Sequence, residues 1–392
     1  MASAVVTLGF VSMVTDISSE SVAAILPLYL TGVLGLSTIS YGFVDALYHG
    51  VSALVRIGGG WAADRGGHPK WVALLGYGTS AVARVFLLFS TGLSAIATVV
   101  AVDRVGKGLR TAPRDAMIAD ASADADRGRA FGVHRALDTT GAAIGPLMAF
   151  AVLWWIPDGY LTVMVISLGF ALLGVALLGL LVPDRSASAP RPARRPATWR
   201  EVARPALVKL LTLAGVLGLL TVGDGFIYLA LLDRGGFAAH WFPLLYVGTN
   251  LAYLSLAVPF GRLADRVGKG KVLVAAHVAL LGSYLTAAFA WWVTLATALA
   301  LLLLGMFYAA SDGVIAALAS RLSADHVRAS SIAAAQTVVA VARMASSAVF
   351  GVLWFLLGPQ AALVAVGAAL LLVLPIAFTA ASSLDREPTP AP

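Results

Sequence analysis

A chain of 392 residues that is 59% hydrophobic and only 12% charged, with a mean hydropathy of +0.88, is no ordinary soluble protein, in which about a quarter of residues are charged. The formal charge of +7 raises nucleic acid as a partner, but the cations fall on alternate connections between apolar runs, which is a membrane-topology pattern instead. The absence of cysteine excludes disulfides and thiolate metal sites.

Apolar runs of about 20 residues cross the hydrocarbon as helices, and the period-two alternation of barrel strands is absent. Twelve spans are predicted, at 5–30, 40–63, 71–90, 93–118, 128–156, 159–182, 206–232, 239–263, 272–292, 294–319, 329–357 and 360–381. The first run lacks a preceding basic region and a small-residue cleavage site, so it reads as a retained span rather than a signal peptide. It holds Asp16 and Glu20, one helical turn apart and hence on one face. Counting from Val5, Asp16 lies roughly 16 Å deep, close to the midplane. Ser18, Ser19 and Pro27 soften the same segment.

The second span ends in Gly60-Trp61-Ala62-Ala63-Asp64-Arg65, and the turn runs on to Lys70. In the fourth span Asp103, Lys107, Arg110 and Arg114 follow i, i+4, i+7, i+11, a spacing that draws one stripe along one helix face. Arg110 sits about 12 Å from the end of that span, too deep for easy snorkelling. Arg135 and Asp138 of the fifth span lie at similar depth, so Asp138 is an expected partner of Lys107 or Arg110. An ionisable side chain at bilayer depth is costly unless paired or facing a cavity, and is a functional candidate by default. For Arg114, Asp115 and Arg135 a static tether between spans is the favoured reading. For Asp16, Lys107, Arg110 and Asp138 function is favoured.

Residues 183–205, rich in Pro, Ala, Ser and Arg, form a linker between an N-terminal half (1–182) and a C-terminal half (206–381), and 382–392 reads as a short disordered tail. The second half is plainer: Asp224 and Tyr228 in the seventh span, Asp312 in the tenth and Arg343 in the eleventh are its candidate solute contacts. His49, His134 and His277 read as helix-contact residues. Trp154, Trp155, Trp241, Trp291 and Trp292 at span ends read as interfacial anchors. No His or carboxylate cluster has metal-ligand spacing, and no nucleophile-base signature or phosphate loop appears, so neither a metal, a cofactor nor an enzyme is expected.

The turn after the second span returns after the eighth as Gly261-Arg262-Leu263-Ala264-Asp265-Arg266-Val267-Gly268-Lys269-Gly270-Lys271, with Asp64 and Asp265 separated by 201 positions. At the same offset, Ser122-Ala123-Asp124 and Arg127 match Ser323-Ala324-Asp325 and Arg328. A repeat of this kind marks a duplicated membrane protein built of two related halves.

At these residues the chain resembles the major facilitator superfamily over essentially its whole length. The A-D-R-x-G turn looks like the family's signature loop, in which the Asp caps a neighbouring helix end and pairs with an Arg. The resemblance assigns gating to Gly60, Asp64, Arg65, Gly261, Asp265 and Arg266. Gly132, Gly141, Gly145 and Pro146 look like the family's antiporter motif, with Ala149 and Phe150 in place of its final glycine pair. Arg104-Val105-Gly106-Lys107-Gly108 resembles a motif whose Arg is linked to proton movement, with Lys107 where Gln is usual and Arg110 where Gly is usual.

The resemblance implies an all-α membrane protein with twelve transmembrane helices in two pseudo-symmetric six-helix bundles, working as a monomeric secondary-active transporter by alternating access. The residues and the resemblance together lead to proton-coupled export of a small polar, anionic or amphiphilic solute. Asp16, Glu20, Arg104 and Asp138 are its expected proton-coupling groups, and Lys107, Arg110, Asp224, Tyr228, Asp312 and Arg343 its solute contacts. Import or uniport of a small organic anion, or a transporter-like receptor or lipid-handling protein, are the alternatives. The expected setting is the inner (plasma) membrane with both termini cytoplasmic, the partners being solute, protons and lipid but not nucleic acid.

Overall fold

In the computed structural model the described backbone covers residues 3–66, 68–123, 126–184, 204–289, 292–324 and 327–387; the side chains of Ser3, 57–66 and Ala329 lie outside the description. Among the described residues there is no strand. The helices are α1 (Ser3–Leu28), α2 (Thr38–Gly66), α3 (Pro69–Leu87), α4 (Leu93–Asp120), α5 (Arg127–Trp155), α6 (Tyr160–Leu181), α7 (Pro205–Leu219), α8 (Asp224–Gly235), α9 (Phe242–Val267), α10 (Lys269–Ala288), α11 (Val293–Arg321), α12 (Arg328–Leu357) and α13 (Pro359–Arg386). Every one of these elements is helical, as an all-α membrane protein requires. Nine helical segments among the described residues are long and apolar enough to cross a membrane on composition alone. α4 is not one of them, because Asp103, Arg104, Lys107, Arg110, Arg114 and Asp115 interrupt its apolar run.

Contacts group the chain into two compact units, residues 1–193 with 238–247, and residues 194–237 with 248–392. In the first unit α1 packs against α5 and α6, and α4 against α2 and α3. Glycine makes the tightest of these approaches possible. A Cβ on Gly141 would strike the Met13 carbonyl, and one on Gly145 would lie 2.8 Å from the Ser21 nitrogen, so α1 and α5 touch backbone to backbone. Gly132, three turns earlier, has open space around it. Gly76 and Gly106 play the same part between α3 and α4, each within 2.7 Å of the other's carbonyl once a Cβ is added. Ser18 and Ser167 tie α1 to α6 through hydroxyls 2.9 Å apart.

α1 does not end cleanly. Pro27 has no N–H to donate, and the helix widens into a π-turn over Tyr29–Val33 whose Thr31 hydroxyl donates to the Pro27 carbonyl at 2.8 Å. The 3-10 turn Ala239–Trp241 groups with this unit, where His240 stands edge-on to Trp154 at 4.9 Å and Trp241 packs 5.5 Å from Phe150. Trp154 and Trp241 therefore stack on aromatic neighbours, whereas Trp155 and Trp292 are 81% and 77% exposed and match the expected anchors. Trp291 lies outside the described residues.

In the second unit α10 packs against α11 and α13, and α12 against α7. The expected continuous seventh span (206–232) is in fact two helices, α7 and α8, interrupted at Leu220–Gly223. Two glycines, Gly223 and Gly225, flank Asp224 at the break, and glycine weakens a helix interior. Breaking a helix inside a membrane strands backbone groups that water cannot reach. Here Tyr284 of α10 answers them: its hydroxyl donates to the Leu220 carbonyl at 2.8 Å and accepts from the Val222 N–H at 2.8 Å.

The last helix is longer than expected, running to Arg386 instead of ending at 381. The extra turn is held by side-chain bonds: Asp385 accepts from the N–H groups of Gly270 (2.8 Å) and Lys271 (3.2 Å) at the start of α10, while Arg321 donates to the Leu384 carbonyl at 2.6 Å. The expected linker falls almost wholly outside the described residues, as does the tail beyond Glu387.

Two outcomes follow from this packing. Tyr284→Phe keeps the ring and removes the bridging hydroxyl, so it should destabilise by about 1–3 kcal/mol, the scale of leaving buried backbone groups unpaired. A melting temperature equal to wild type would refute that. Gly141→Ala and Gly145→Ala should each cost about 1–3 kcal/mol through overpacking, while Gly132→Ala should be neutral, as read by thermal unfolding of the three purified variants.

Candidate functional site

The first unit gathers an unusual density of charge where α1, α3, α4 and α5 meet. α1 supplies Asp16 and Glu20, α3 supplies Arg84, α4 supplies Asp103, Arg104, Lys107, Arg110 and Arg114, and α5 supplies Asp138. The α4 positions do not form one continuous stripe of equivalent groups. They divide into a sealed cluster and a partly open one.

The sealed cluster centres on Asp103. Arg104 grips it through its guanidinium, with Nε donating at 3.0 Å, and Arg84 reaches across from α3 at 3.5 Å. Arg104 also lies over the Tyr48 ring, 3.9 Å from its centre, and Arg84 donates to the Ser19 hydroxyl at 3.4 Å. Arg110 faces α3 too, donating to the Ser80 hydroxyl at 2.9 Å with its guanidinium 4.6 Å above the Tyr77 ring. Arg104 and Arg110 are 2% and 3% exposed, which leaves them no solvent-facing surface for a solute. The glycines of the Arg104–Gly108 motif explain how: Gly106 lets α4 close on α3, and Gly108 lets it close on Ser52 of α2.

The open cluster joins α1, α4 and α5. Asp16 has Asp138 of α5, Lys107 of α4 and Glu20 of its own helix as its charged neighbours. Lys107 Nζ stands 3.9 Å from Glu20 Oε1, and both side chains keep about a third of their surface exposed, 34% and 29%. Asp138 pairs with Arg114 at 3.8 Å and Arg135 at 3.9 Å rather than with Lys107 or Arg110 as the spacing suggested. Arg114 is further held by Asp115 at 2.9 Å and the Ser12 hydroxyl at 3.2 Å. His134, buried beside this group, has no hydrogen-bond partner on either ring nitrogen among the described residues.

In the second unit Asp224 begins α8, directly after the break, and accepts a 2.6 Å hydrogen bond from the Tyr308 hydroxyl. Arg343 lies against the Tyr308 and Phe307 rings at 5.3 and 5.7 Å, with its Nε buried and unpartnered. Arg343, Asp312, His277 and Ser311 line one cavity of about 30 Å³, the size of a water site rather than of a solute. Tyr228 is fully buried and donates to the Thr249 hydroxyl at 2.7 Å, which makes it a packing residue. His277 is tied to the Leu273 carbonyl at 2.8 Å.

The gating candidates separate in the same way. Gly60, Asp64 and Arg65 lie outside the described side chains. In the second copy Gly261 has open space, and Asp265 pairs across the turn with Lys269 at 2.6 Å, whereas Arg266 is exposed. The helix end beside it is capped not by Asp265 but by Asp385. In the first unit Asp184 occupies the corresponding place: it accepts from Trp71 Nε1 at 2.8 Å and stands 3.6 Å from His68, at the start of α3. Asp184 and Asp385 are again 201 positions apart, and each is followed by Arg. This third anchor of the repeat, like Arg84 and Tyr48, was missed at the sequence level; the offset alone would have found it.

Among known proteins, the chain is 29% identical over 360 residues to an uncharacterized MFS-type transporter of Methanocaldococcus jannaschii, covering 88% of this chain and 87% of that protein. It is 28% identical over 274 residues to an uncharacterized protein of Mycobacterium bovis, covering 67% and 66% of the two chains. Of solved structures, a nucleoside transporter, NupG, superposes with a TM-score of 0.82 at 16% identity, covering 96% of this chain and 99% of that one. A peptide transporter, POT, superposes with a TM-score of 0.80 at 16% identity, covering 98% and 96%. At such identities the likeness speaks for the fold. The Major Facilitator Superfamily profile itself matches residues 8–346. With the twelve-span helical fold and a relative of MFS type along most of its length, the chain belongs to the Major Facilitator Superfamily and is a membrane transporter of that type.

Proposed function

We propose that this transporter is a proton-coupled exporter of a small polar, anionic or amphiphilic solute, working by alternating access, with the Asp16–Asp138–Lys107–Glu20 cluster as its coupling centre. The observation that carries the proposal is the carboxyl pair of Asp16 and Asp138. A pair that shares a proton in one state and gives it up when its surroundings change is the elementary device of proton coupling, and Lys107 is placed to take over as counter-ion. Gly141 and Gly145 support the same reading, because the contact they allow sets the distance between the helices carrying the two acids. Arg104, locked to Asp103 and Tyr48, acts in this scheme by positioning α4.

Solute contact falls to exposed or cavity-facing groups. Lys107 and Glu20 retain surface, and Asp224, Asp312, Tyr308 and Arg343 cluster at the break in the seventh span, a kind of place where membrane carriers hold their ligands. Nucleosides and peptides, carried by proteins of this fold, are the natural first probes in a ligand-stability screen. Import or uniport is the second reading, supported by Ala149 and Phe150: Phe150 packs in the aromatic cluster with Trp154 and Trp241, where the antiporter motif would have glycine. The basic connections support a reading with both termini on the cytoplasmic side of the inner membrane, and a monomer suffices.

The coupling role is tested in proteoliposomes enclosing a pH dye, with a solute found by the screen. Wild type should move protons when solute is added to the opposite face. Asp16→Asn should keep solute counterflow and lose the proton signal. Solute-driven proton flux at the wild-type rate in that variant would end the proposal.

The cationic side chains separate by the same logic. Lys107→Gln should weaken binding of an anionic solute by about 1–3 kcal/mol, the scale of a lost charge-assisted hydrogen bond, with little change in melting temperature. Arg110→Gln should do the reverse, lowering the melting temperature while affinity in the folded protein stays intact. A matched loss of affinity in both would restore Arg110 to the site.

A further inference from the structure

Away from the buried polar cluster of the second unit, a concavity opens at the helix ends around the α9–α10 turn. It measures about 390 Å³ and is lined by five cations, Arg266, Lys269, Lys271, Arg321 and Arg386. Two acids share it, Asp265 and Asp385, and both are already committed. Asp265 binds Lys269 at 2.6 Å, and the Asp385 oxygens serve the first N–H groups of α10. Arg321 is likewise occupied by the Leu384 and Asp385 carbonyls at 2.6 and 3.2 Å.

Arg266, Lys271 and Arg386 are left with exposed side chains and no carboxylate partner among the described residues. The pocket thus carries an excess of three positive charges, converging from the ends of four helices. It stands at span ends, where headgroups lie. One turn before Arg266, Leu263 is 41% exposed, and Val267 beside it is 50% exposed, so apolar surface adjoins the basic rim.

We propose that this pocket binds a phosphate group, supplied by the headgroup of an anionic lipid whose chains run along the Leu263 side of α9. Arg266, Lys271 and Arg386 hold the phosphate oxygens. Asp385 keeps the N-terminus of α10 occupied, so that the phosphate meets side chains and not backbone. A soluble phosphate offers the same oxygens without the chains. The lipid source agrees with the reading of this face as cytoplasmic, where anionic lipids are concentrated, but binding itself depends on neither that reading nor proton coupling.

The test uses the purified full-length protein in detergent, stripped of lipid and then offered phosphatidylglycerol, phosphatidylcholine or inorganic phosphate. Bound lipid is read by native mass spectrometry and stability by thermal unfolding. Wild type should retain phosphatidylglycerol in preference to phosphatidylcholine and melt higher with it. The triple variant Arg266→Gln/Lys271→Gln/Arg386→Gln should bind phosphatidylglycerol roughly a hundredfold more weakly, a factor of about five for each cation removed. Arg129→Gln, an exposed cation of the other unit, should change nothing.

Displacement of the lipid by millimolar phosphate, with the same rise in melting temperature, would keep the site and assign it to a soluble anion. Equal retention of the two lipids by wild type with no response to phosphate, or an undiminished preference in the triple variant, would overturn the proposal. Should the triple variant fail to purify as a single species, Lys271→Gln alone, at an exposed side chain, should weaken phosphatidylglycerol binding about fivefold, and an undiminished preference there would overturn the proposal equally.

Discussion

Inside hydrocarbon a polar group has no water to fall back on, so each charge and each free carbonyl in the spans must find its partner in the chain. Most of what distinguishes this transporter is a local answer to that demand. Asp103 is affordable because Arg104 and Arg84 close on it from two helices, and those arginines are tolerable because Tyr48 and Ser19 take up their remaining faces. The seventh span can break because Tyr284 offers one hydroxyl to both loose ends. The demand is only half met where Lys107 and Glu20 stand at the edge of contact and Asp16 has another acid beside it, which is where the proposed coupling centre lies.

The two units meet the demand in different ways. The first uses opposite charges on α1, α3, α4 and α5, brought within reach by glycines at 76, 106, 141 and 145. The second relies on aromatic hydroxyls and ring faces, with Tyr284, Tyr228 and Tyr308 bonding across helices and Arg343 resting on Phe307 and Tyr308. Ion pairs can be switched by a proton, whereas the bond of the Tyr284 phenol to the Leu220 carbonyl is indifferent to one over the physiological range. The coupling centre proposed above falls in the half built on ion pairs.

Much of this was legible in the residues. Apolar run lengths, the 201-residue offset and the glycine spacing in the fifth span all depend on local pattern, and the fold follows them. Charge partners were less legible, because helical periodicity says which residues share a face but not which neighbour that face meets. Arg110 and Lys107 fall on one stripe by spacing, yet α4 turns Arg110 into α3 and leaves Lys107 toward α1. Arg84 escaped notice although it obeys the same rule of depth that singled out Asp16. The break in the seventh span had a signal in Gly223 and Gly225, but the tyrosine that stabilises it is about 60 positions away and no local pattern points to it.

Asp184 and Asp385 each act within one half of the chain. Each ties the end of the last span in its half to the beginning of the third, and each does so without help from the other half. The two contacts differ in detail, indole in one and backbone N–H in the other, but they occupy equivalent positions. Each six-span half thus carries its own means of fastening its last helix to its third.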